Sequence, residues 1–445
     1  MKIHFSLKIK LKRLWIFILI IISAALGLLS EDANIKSDPI KKDVIHRISS
    51  DNFVHKVYNW TWDYSESDVG YCITQDLDGN FYIGGYTVVP WDKQDWVLIK
   101  FNNKCEYQWH QTWGFNGVDM CRDIVVDSLG SIYMAGVIED TNFMRSDACL
   151  VKFDSSGNYL WHYEWINSYC NGMIIDPSDY IILTINDYFN GDIQLLNYSN
   201  SGDLQWSSRW GTSNLDWVRN IALDQYQNIY ITGSIYKIGE EEGIELFFVE
   251  FNNRGQFLGY QTWGGKDTDS GYSILVDSEV NIYISGITSS YGTGADDICL
   301  LKYSSSLELI WERTWGNEEN NRGNAIGLDP SGNVYVIGTS EYETQDDICL
   351  LKYNKKGVFT GYFIWGDTGD QSGQDLILIN STCLIALGTT KGDICLLKFE
   401  LQENYQSHDL YNPWYSIFIL IFFLGLTSTI ITISFIRRIY NNHNK

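Results

Sequence analysis

Four aspartates occupy one repeated position in this 445-residue chain, each eight residues before a second Asp. They are Asp68, Asp119, Asp216 and Asp269, with Ser168 and Asn321 replacing the Asp in two further copies. Carboxylates that a repeat brings together would bind a cation such as Ca²⁺ or a basic ligand group, because clustered like charges favour a counterion. Alternatively, each carboxylate accepts hydrogen bonds from its own loop. Apart from Ca²⁺, the sequence predicts no cofactor.

Three tryptophans, Trp91, Trp96 and Trp217, fall outside the regular pattern of the chain. Large aromatics that recur in every copy of a repeat are expected to pack in the core. Nothing in the repeat requires these three, so they are predicted to contact a glycan, peptide or protein ligand. Three sequons, at Asn59, Asn197 and Asn380, are predicted glycosylation sites if the chain is translocated.

The motifs of common catalytic and metal sites are missing from the sequence. It has no Gly-x-Ser-x-Gly, no phosphate-binding loop and no Cys-x-x-Cys, and its seven His show no metal-ligand spacing. Cys149, Cys299, Cys349 and Cys395 hold one repeated position and are predicted to fill the core. Cys72 and Cys105 are the pair that could form a disulfide.

The elements that position these residues repeat about every fifty residues. The pair Trp-Gly marks the period at Trp113, Trp210, Trp263, Trp315 and Trp365, and Trp62 and Trp165 hold the same place without the glycine. The steps range from 45 to 53 residues. A period of this length indicates a propeller, solenoid or array.

One unit contains four short runs rich in Ile, Leu, Tyr and Trp: 271–277, 281–288, 297–303 and 308–315. Such runs, bounded by Gly, Ser, Asn and Asp, predict β-strands. They are apolar on both faces, which fits sheets covered on both sides, as in propeller blades. The first turn ends in Gly in most units; where Gln227 and Val280 replace it, Asn228 and Asn281 are predicted to adopt its positive φ.

The third run occurs seven times, whereas the fourth appears first at 55–62, before any complete unit, and is missing after the last third run. The N-terminal strand is therefore predicted to complete the final blade. The predicted fold is an all-β, seven-bladed β-propeller of four-stranded blades over residues 52–400, with a C-terminal transmembrane helix.

The repeats resemble the SBBP-type β-propeller repeat, a relative of the NHL repeat. The resemblance rests on GYSILVDSEVNIYISGIT and GNAIGLDPSGNVYVIGTS, each followed by DDICLLKY and Trp-Gly, and covers roughly residues 52–400. Members of this family are mostly surface or secreted proteins without an assigned activity, so the resemblance implies a fold and little about function.

Both ends of the chain contain apolar segments. Residues 1–30 combine basic residues with an apolar run and predict a signal peptide or signal anchor. Residues 413–436 predict a transmembrane helix, followed by a basic cytoplasmic tail at 437–445. Residues 31–51 and 401–412 are predicted polar linkers. The propeller is thus expected outside the cell, anchored in the cell membrane by one helix.

The charge of the segment between these ends excludes one class of partner. Residues 31–410 carry 24 Lys and Arg against 55 Asp and Glu. A domain this acidic does not bind nucleic acid by neutralising phosphates. It suits cations or basic partners, or a demand for solubility.

The sequence leaves three hypotheses about function, of which a purely structural surface role is the third. The first is a binding or scaffold module for a glycan, peptide or protein, with specificity in the variable loops 86–94, 137–146, 234–243 and 289–296. The second is a propeller enzyme, because 153–161 and 198–206 resemble the docking motif of quinoprotein dehydrogenases. The resemblance lacks the motif's Thr, its leading Ala and an adjacent Cys pair.

Overall fold

The computed structural model describes residues 40–44 and 53–402, apart from 90–92, 116, 141–144, 190, 238–242, 343–344 and 367. These residues form 29 strands in seven sheets, and no helix occurs among them. The prediction of an all-β, seven-bladed propeller with four-stranded blades is confirmed. Residues 1–30 and 413–436 lie outside the described part of the chain. Within that part, no helix is long and apolar enough to cross a membrane.

The strands are numbered β1 to β29 in chain order, and each blade is written from its innermost to its outermost strand. Blade 1 is β3 Asp68–Gln75, β4 Phe81–Val89, β5 Lys93–Phe101 and β6 Tyr107–Trp113. Blade 2 is β7 Met120–Val126, β8 Ile132–Asp140, β9 Arg145–Phe153 and β10 Tyr159–Trp165. Blade 3 is β11 Ser168–Ile175, β12 Ile181–Asp187, β13 Ile193–Tyr198 and β14 Leu204–Trp210.

The second half of the ring repeats this arrangement. Blade 4 is β15 Leu215–Leu223, β16 Ile229–Lys237, β17 Gly243–Phe251 and β18 Phe257–Trp263. Blade 5 is β19 Asp269–Val276, β20 Ile282–Thr288, β21 Asp297–Tyr303 and β22 Leu309–Trp315. Blade 6 is β23 Asn321–Leu328, β24 Val334–Tyr342, β25 Gln345–Tyr353 and β26 Phe359–Trp365. Blade 7 is β27 Gln371–Asn380, β28 Cys383–Thr390, β29 Asp393–Leu401, β2 Val54–Trp62 and β1 Ile40–Val44.

Strands from both ends of the described chain close the ring. β2 pairs antiparallel with β29, from Val54 opposite Leu401 to Trp62 opposite Ile394, which confirms the predicted closure. β1 then pairs with β2 as a fifth strand, within the segment predicted to be a linker. An outermost strand leaves unpaired backbone groups that favour another strand, so β1 covers the edge of the closing blade.

Apolar contacts between neighbouring blades form the core. Tyr82 and Trp96 of blade 1, for example, cluster with Cys121 and Met134 of blade 2. The innermost strands contact one another in turn around the ring, ending with β27 against β3. Each blade is therefore covered on both faces, which explains why its strands are apolar on both sides.

The ring has two ends with different structures. The loop face is the end at which the first strand of each blade begins. It carries the loops between second and third strands and the Trp-Gly connections between blades. At the turn face, short turns join the first strand to the second and the third to the fourth. β29 ends and β2 begins at the turn face.

The short turns correct one prediction. Positive φ falls on Gln227 (65°) and Val280 (61°) themselves, where Gly79 has 83° in blade 1. Asn228 and Asn281 instead donate side-chain hydrogen bonds to the Asp that begins each turn. The Asn at this place is thus used for its amide and not for its tolerance of left-handed backbone.

None of the nine cysteines, which all lie in the described part of the chain, forms a disulfide, and eight of them are buried. Cys105 packs in the cluster between blades 7 and 1, whereas Cys72 lies between blades 1 and 2. The Cys72–Cys105 disulfide is therefore not formed. The Sγ atom of Cys72 lies 4.0 Å from that of Cys121. Burial raises the pKa of Cys72 well above its usual range, so its thiol stays protonated and unreactive.

Candidate binding site in the axial channel

Every first strand carries a β-bulge at the same place, three residues after the position of the aspartate series. A bulge adds one residue to a strand and redirects its side chain. The seven extra residues are Tyr71, Arg122, Asn171, Arg219, Tyr272, Asn324 and Gln374. All seven line one cavity of about 320 Å³ on the axis of the ring.

Three arginines converge on this cavity. Arg122 and Arg219 are bulge residues, and Arg322 lies two residues before the bulge in β23. The segment 53–402 contains seven Arg, so nearly half of them face one cavity of a strongly acidic protein. Within the described residues, none of the three guanidinium groups forms an ion pair. Asp346 is the acidic residue in the lining.

Tyrosines of neighbouring blades hold two of these arginines. The guanidinium carbon of Arg122 lies 4.4 Å from the ring centre of Tyr71, and that of Arg219 lies 5.3 Å from Tyr272. Stacking of this kind fixes the guanidinium plane and leaves its N–H edge available to a ligand. The buried Nε of Arg122 has no hydrogen-bond partner among the described residues. Burial raises the pKa of Tyr272, so its hydroxyl remains a donor.

The amide residues of the bulges join blades. Asn171 donates to the carbonyl of Val218 at 3.1 Å, and Asn324 donates to that of Gly373 at 2.7 Å. Gln374 donates instead to Ser372 Oγ at 2.9 Å, within the channel lining. The Asn residues thus close the wall of the channel, whereas Arg122 donates to the Sδ atom of Met120 at 3.6 Å.

The predicted aromatic contacts have three different outcomes. Trp217 lies two residues before a bulge, in the register position of Arg322, and packs 6.0 Å from Tyr169 in the same position of blade 3. This register places both rings at the loop-face mouth of the channel. Trp96 is 1% exposed and donates its indole N–H to the carbonyl of Val137, so it belongs to the core. Trp91 lies outside the described residues.

The four aspartates of the first series are fully buried and bind their own loops. Asp216 accepts a backbone N–H from Thr212 at 2.6 Å, and Asp269 accepts one from Gly265 at 2.8 Å. Asp68 and Asp119 make the same contact with Tyr64 and Phe115. Burial raises the pKa of Asp119 to about 6. The geometry favours the loop-binding alternative, and a ligand contact for these residues stays a prediction.

The glycine of the Trp-Gly pair leaves room for two carboxylates. A Cβ on Gly114 would lie 2.7 Å from both Asp95 Oδ1 and Asp119 Oδ2, closer than carbon and oxygen can pack. Asp95 is the third residue of the third strand of blade 1, and Asp119 precedes the first strand of blade 2. The motif therefore marks where two blades meet through acidic side chains.

One group of described carboxylates has the spacing of a metal site. Oxygens of Asp63, Asp68 and Asp393 lie within 4.8 Å of one another where blade 7 meets blade 1. Asp68 already accepts hydrogen bonds from Tyr64 and Thr87. The sequence did not single out this group, and the Ca²⁺ predicted for the series of Asp68, Asp119, Asp216 and Asp269 stays a prediction.

Two further acids, missed by sequence reasoning, join blades one residue after the bulge. Asp123 accepts the backbone N–H of Met173 at 2.6 Å, and Asp375 accepts that of Ile73 at 3.0 Å. Burial raises the pKa of Asp123 to about 7 and that of Asp375 to about 6. Asn220 makes the same contact in blade 4, without a charge.

The three sequons differ in exposure. Asn59 and Asn197 are buried, at 7% and 5% exposure, within paired strands. A glycan on either would not fit the folded sheet. Asn380 is exposed at the end of β27, so it is the sequon that this structure can accommodate.

The segments that resemble a quinone-docking motif are turns. Asp154 accepts the backbone N–H groups of Ser156 and Asn158, and Gly157 has a φ of 83°. A Cβ on Gly157 would meet Trp109 of the preceding blade at 2.8 Å. The Asp and the Gly are therefore explained by the turn, and the recurring outer Trp by packing between blades.

Comparison with known proteins supports the fold. The family model of the beta-propeller repeat, SBBP, matches residues 205–237. Hydrazine synthase of Kuenenia stuttgartiensis is similar with a TM-score of 0.51 and 8% identity, over 75% of this chain and 96% of that one. The Pan2 WD40 domain of Neurospora crassa has 0.49 and 9%, over 76% and 91%. The polysaccharide lyase Uly1 has 0.49 and 10%, over 80% and 94%.

A search of curated proteins finds no match. The family match, the seven sheets and their closure into a ring agree with one another. The chain is a β-propeller repeat protein.

Proposed function

We propose that this protein is a membrane-anchored extracellular binding module whose axial channel binds an acidic saccharide. The observation that carries the proposal is the convergence of Arg122, Arg219 and Arg322 on one cavity, where none of them forms an ion pair with a described residue. Clustered cations are stabilised by an anion, and walls of low dielectric strengthen the attraction. Arginine binds carboxylate and sulfate groups through two parallel N–H donors.

The rest of the channel favours a sugar as the carrier of that anionic group. Tyr169 and Trp217 at the mouth offer aromatic faces, and Gln374, Ser372 and Thr339 offer hydrogen bonds for hydroxyl groups. A cavity of about 320 Å³ holds one or two sugar rings. Asp346, in the same lining as Arg322, would select against ligands with dense negative charge.

The proposed orientation follows from the two ends of the ring. The channel mouth with Trp217 lies at the loop face, and the described chain ends at the turn face, at Gln402. A transmembrane helix at 413–436 would anchor the turn face and leave the channel mouth pointing into the extracellular space. Residues 1–30 would direct translocation, and 437–445 would form the cytoplasmic tail.

The test is direct binding by the purified full-length chain in detergent. Calorimetry would compare uronate-containing and sulfated oligosaccharides with neutral ones of the same length. Arg219→Ala and Arg322→Ala are each expected to weaken binding at least tenfold, because each removes a charge-assisted contact. Arg254→Ala is the matched control, since Arg254 is exposed on the turn face.

Binding should also weaken as salt is raised. Equal affinity for neutral and acidic sugars, or equal losses in all three variants, would contradict the proposal. If the folded protein bound none of these sugars, a purely structural surface role would become the better explanation.

A further inference from the structure

An apolar belt follows the edge of the turn face along blades 2 to 6. In blades 2 to 6, exposed apolar residues occupy the start of the outermost strand: Tyr159, Leu160, Leu204, Phe257, Leu258, Leu309, Ile310, Val358 and Phe359. The turns between first and second strands add Leu77, Leu129 and Tyr226, of which Leu77 is 86% exposed. Single exposed apolar residues are ordinary, but a set repeated at one end of a domain marks an interaction surface.

The belt lies at the end of the ring from which the chain continues toward its C-terminal apolar segment. β29 ends at Leu401, on the turn face. Eleven residues, 403–413, separate the last described residue from Trp414, where the uncharged run of 23 residues begins. Even fully extended, they span at most about 40 Å. A bilayer that held this run would therefore lie close to the turn face.

The charges of the turn face favour contact through apolar burial and not through attraction to acidic lipids. Lys104, Arg254, Lys355 and Lys356 are exposed in its turns, but acidic residues such as Glu106 stand among them. No polybasic cluster of the kind that binds anionic membranes is present in the described turns. Exposed Tyr, Phe and Leu side chains suit the interfacial layer of a neutral bilayer.

We propose that the turn face rests on the bilayer surface, with the apolar belt of blades 2 to 6 in the interfacial layer. This inference depends on the C-terminal anchor proposed above and is independent of the channel ligand. The propeller then lies on the membrane, with the axis of its channel at a steep angle to the plane of the bilayer. The loop face then presents the channel mouth away from the membrane at a fixed height.

The test measures the membrane depth of two matched sites in the full-length chain. Leu258→Cys on the turn face and Phe115→Cys on the loop face, 53% and 45% exposed, would each carry an environment-sensitive fluorophore. Both are made with Cys383→Ser, because Cys383 is the one native thiol that is not fully buried. The chains are reconstituted in phosphatidylcholine vesicles with and without lipids that carry a nitroxide near the headgroup.

Strong quenching at position 258, severalfold above that at 115, is the expected result. Alkaline carbonate extraction reports separately whether the chain is anchored. An anchored chain with equal, weak quenching at both sites would overturn the inference. A third outcome is that the label at position 258 is shielded from water but not quenched by the lipid, and that energy transfer occurs between labelled copies. This result would show that the belt mediates self-association, and it would overturn the inference as well.

If carbonate extracted the chain, it would show that the chain is not anchored in the bilayer. The inference, which depends on that anchor, would then be wrong. Saccharide binding measured in detergent would be unaffected by that outcome, so the two proposals fail separately. Thermal unfolding of both labelled variants shows whether they are folded, and the exposure of both sites predicts that they are.

Discussion

Replacing Asp123 by Asn is expected to stabilise the propeller at neutral pH and not in mild acid. Asp123 joins blade 2 to blade 3 by accepting the N–H of Met173. Burial raises the pKa of its carboxyl from 3.8 to about 7, its two backbone N–H contacts lower it, and the nearby Asp375 raises it further. A carboxyl group whose pKa is raised by folding stabilises the fold while protonated and loses that contribution as pH rises through the folded pKa.

The magnitude follows from the two pKa values. Between pH 4 and 7 the unfolded chain ionises while the folded carboxyl resists, so folding loses about 1.4 kcal/mol per pH unit. At pH 8, the full loss in the free energy of unfolding would be on the order of 4 kcal/mol. The side chain of Asp123 is not completely buried, and water reduces this to about 2 kcal/mol.

Asn is a suitable replacement because blade 4 already uses it. Asn220 Oδ1 accepts the N–H of Ile274 at 3.2 Å in the equivalent contact. The variant keeps the bond to Met173 and gives up the second N–H contact, with Ile124, at a cost of about 0.5–1 kcal/mol. We expect a net gain of about 1–1.5 kcal/mol in the free energy of unfolding at pH 8, and none at pH 5.

The assay is urea unfolding followed by tryptophan fluorescence at pH 5, 6.5 and 8. Asn220→Asp is the reciprocal variant and should lose stability as pH rises. Asp123→Ala removes the acceptor altogether and should destabilise at every pH, because the Met173 N–H is left unpaired. Parallel pH profiles for wild type and Asp123→Asn would refute the reasoning, since they would show that this carboxyl ionises as freely in the folded state as in the unfolded one.

Two further predictions concern backbone positions. Gln227→Gly should raise the free energy of unfolding by about 1 kcal/mol, because Gln227 has a φ of 65° that glycine adopts without strain; an unchanged urea midpoint would contradict this. Gly316→Ala should lower the free energy of unfolding by at least about 2 kcal/mol, because the new Cβ would overlap Asp297 Oδ1. Ile166→Ala at the matching place in blade 2, where a side chain is already exposed, is the control and should be close to neutral.

The sequence predicted what the repeat imposes on every blade. The period of the Trp-Gly pair, the apolar strands and the displaced outer strand at 55–62 were enough to predict seven blades and their closure, because each copy must bury the same two faces. The turns were less predictable. Positive φ at Val280 is unfavourable for a β-branched residue, and the sequence-based expectation moved it to Asn281. The hydrogen bonds of the turn, led by Asp277, hold the backbone in place despite that cost.

The candidate site was hidden because it departs from the repeat. Reasoning from regularity selected the aspartates, which recur in four blades because their buried carboxylates accept hydrogen bonds from the loop before the first strand. The residues that face the axis vary between blades, since a bulge turns each of them toward open space where packing imposes no side chain. Three residues after the aspartate position, the copies read Tyr, Arg, Asn, Arg, Tyr, Asn and Gln. Two arginines at a position that holds no aliphatic residue in any blade, within a strongly acidic chain, are the signal that would have located the channel. A position that is regular in backbone and irregular in side chain is where a repeat protein can acquire a ligand without disturbing its fold.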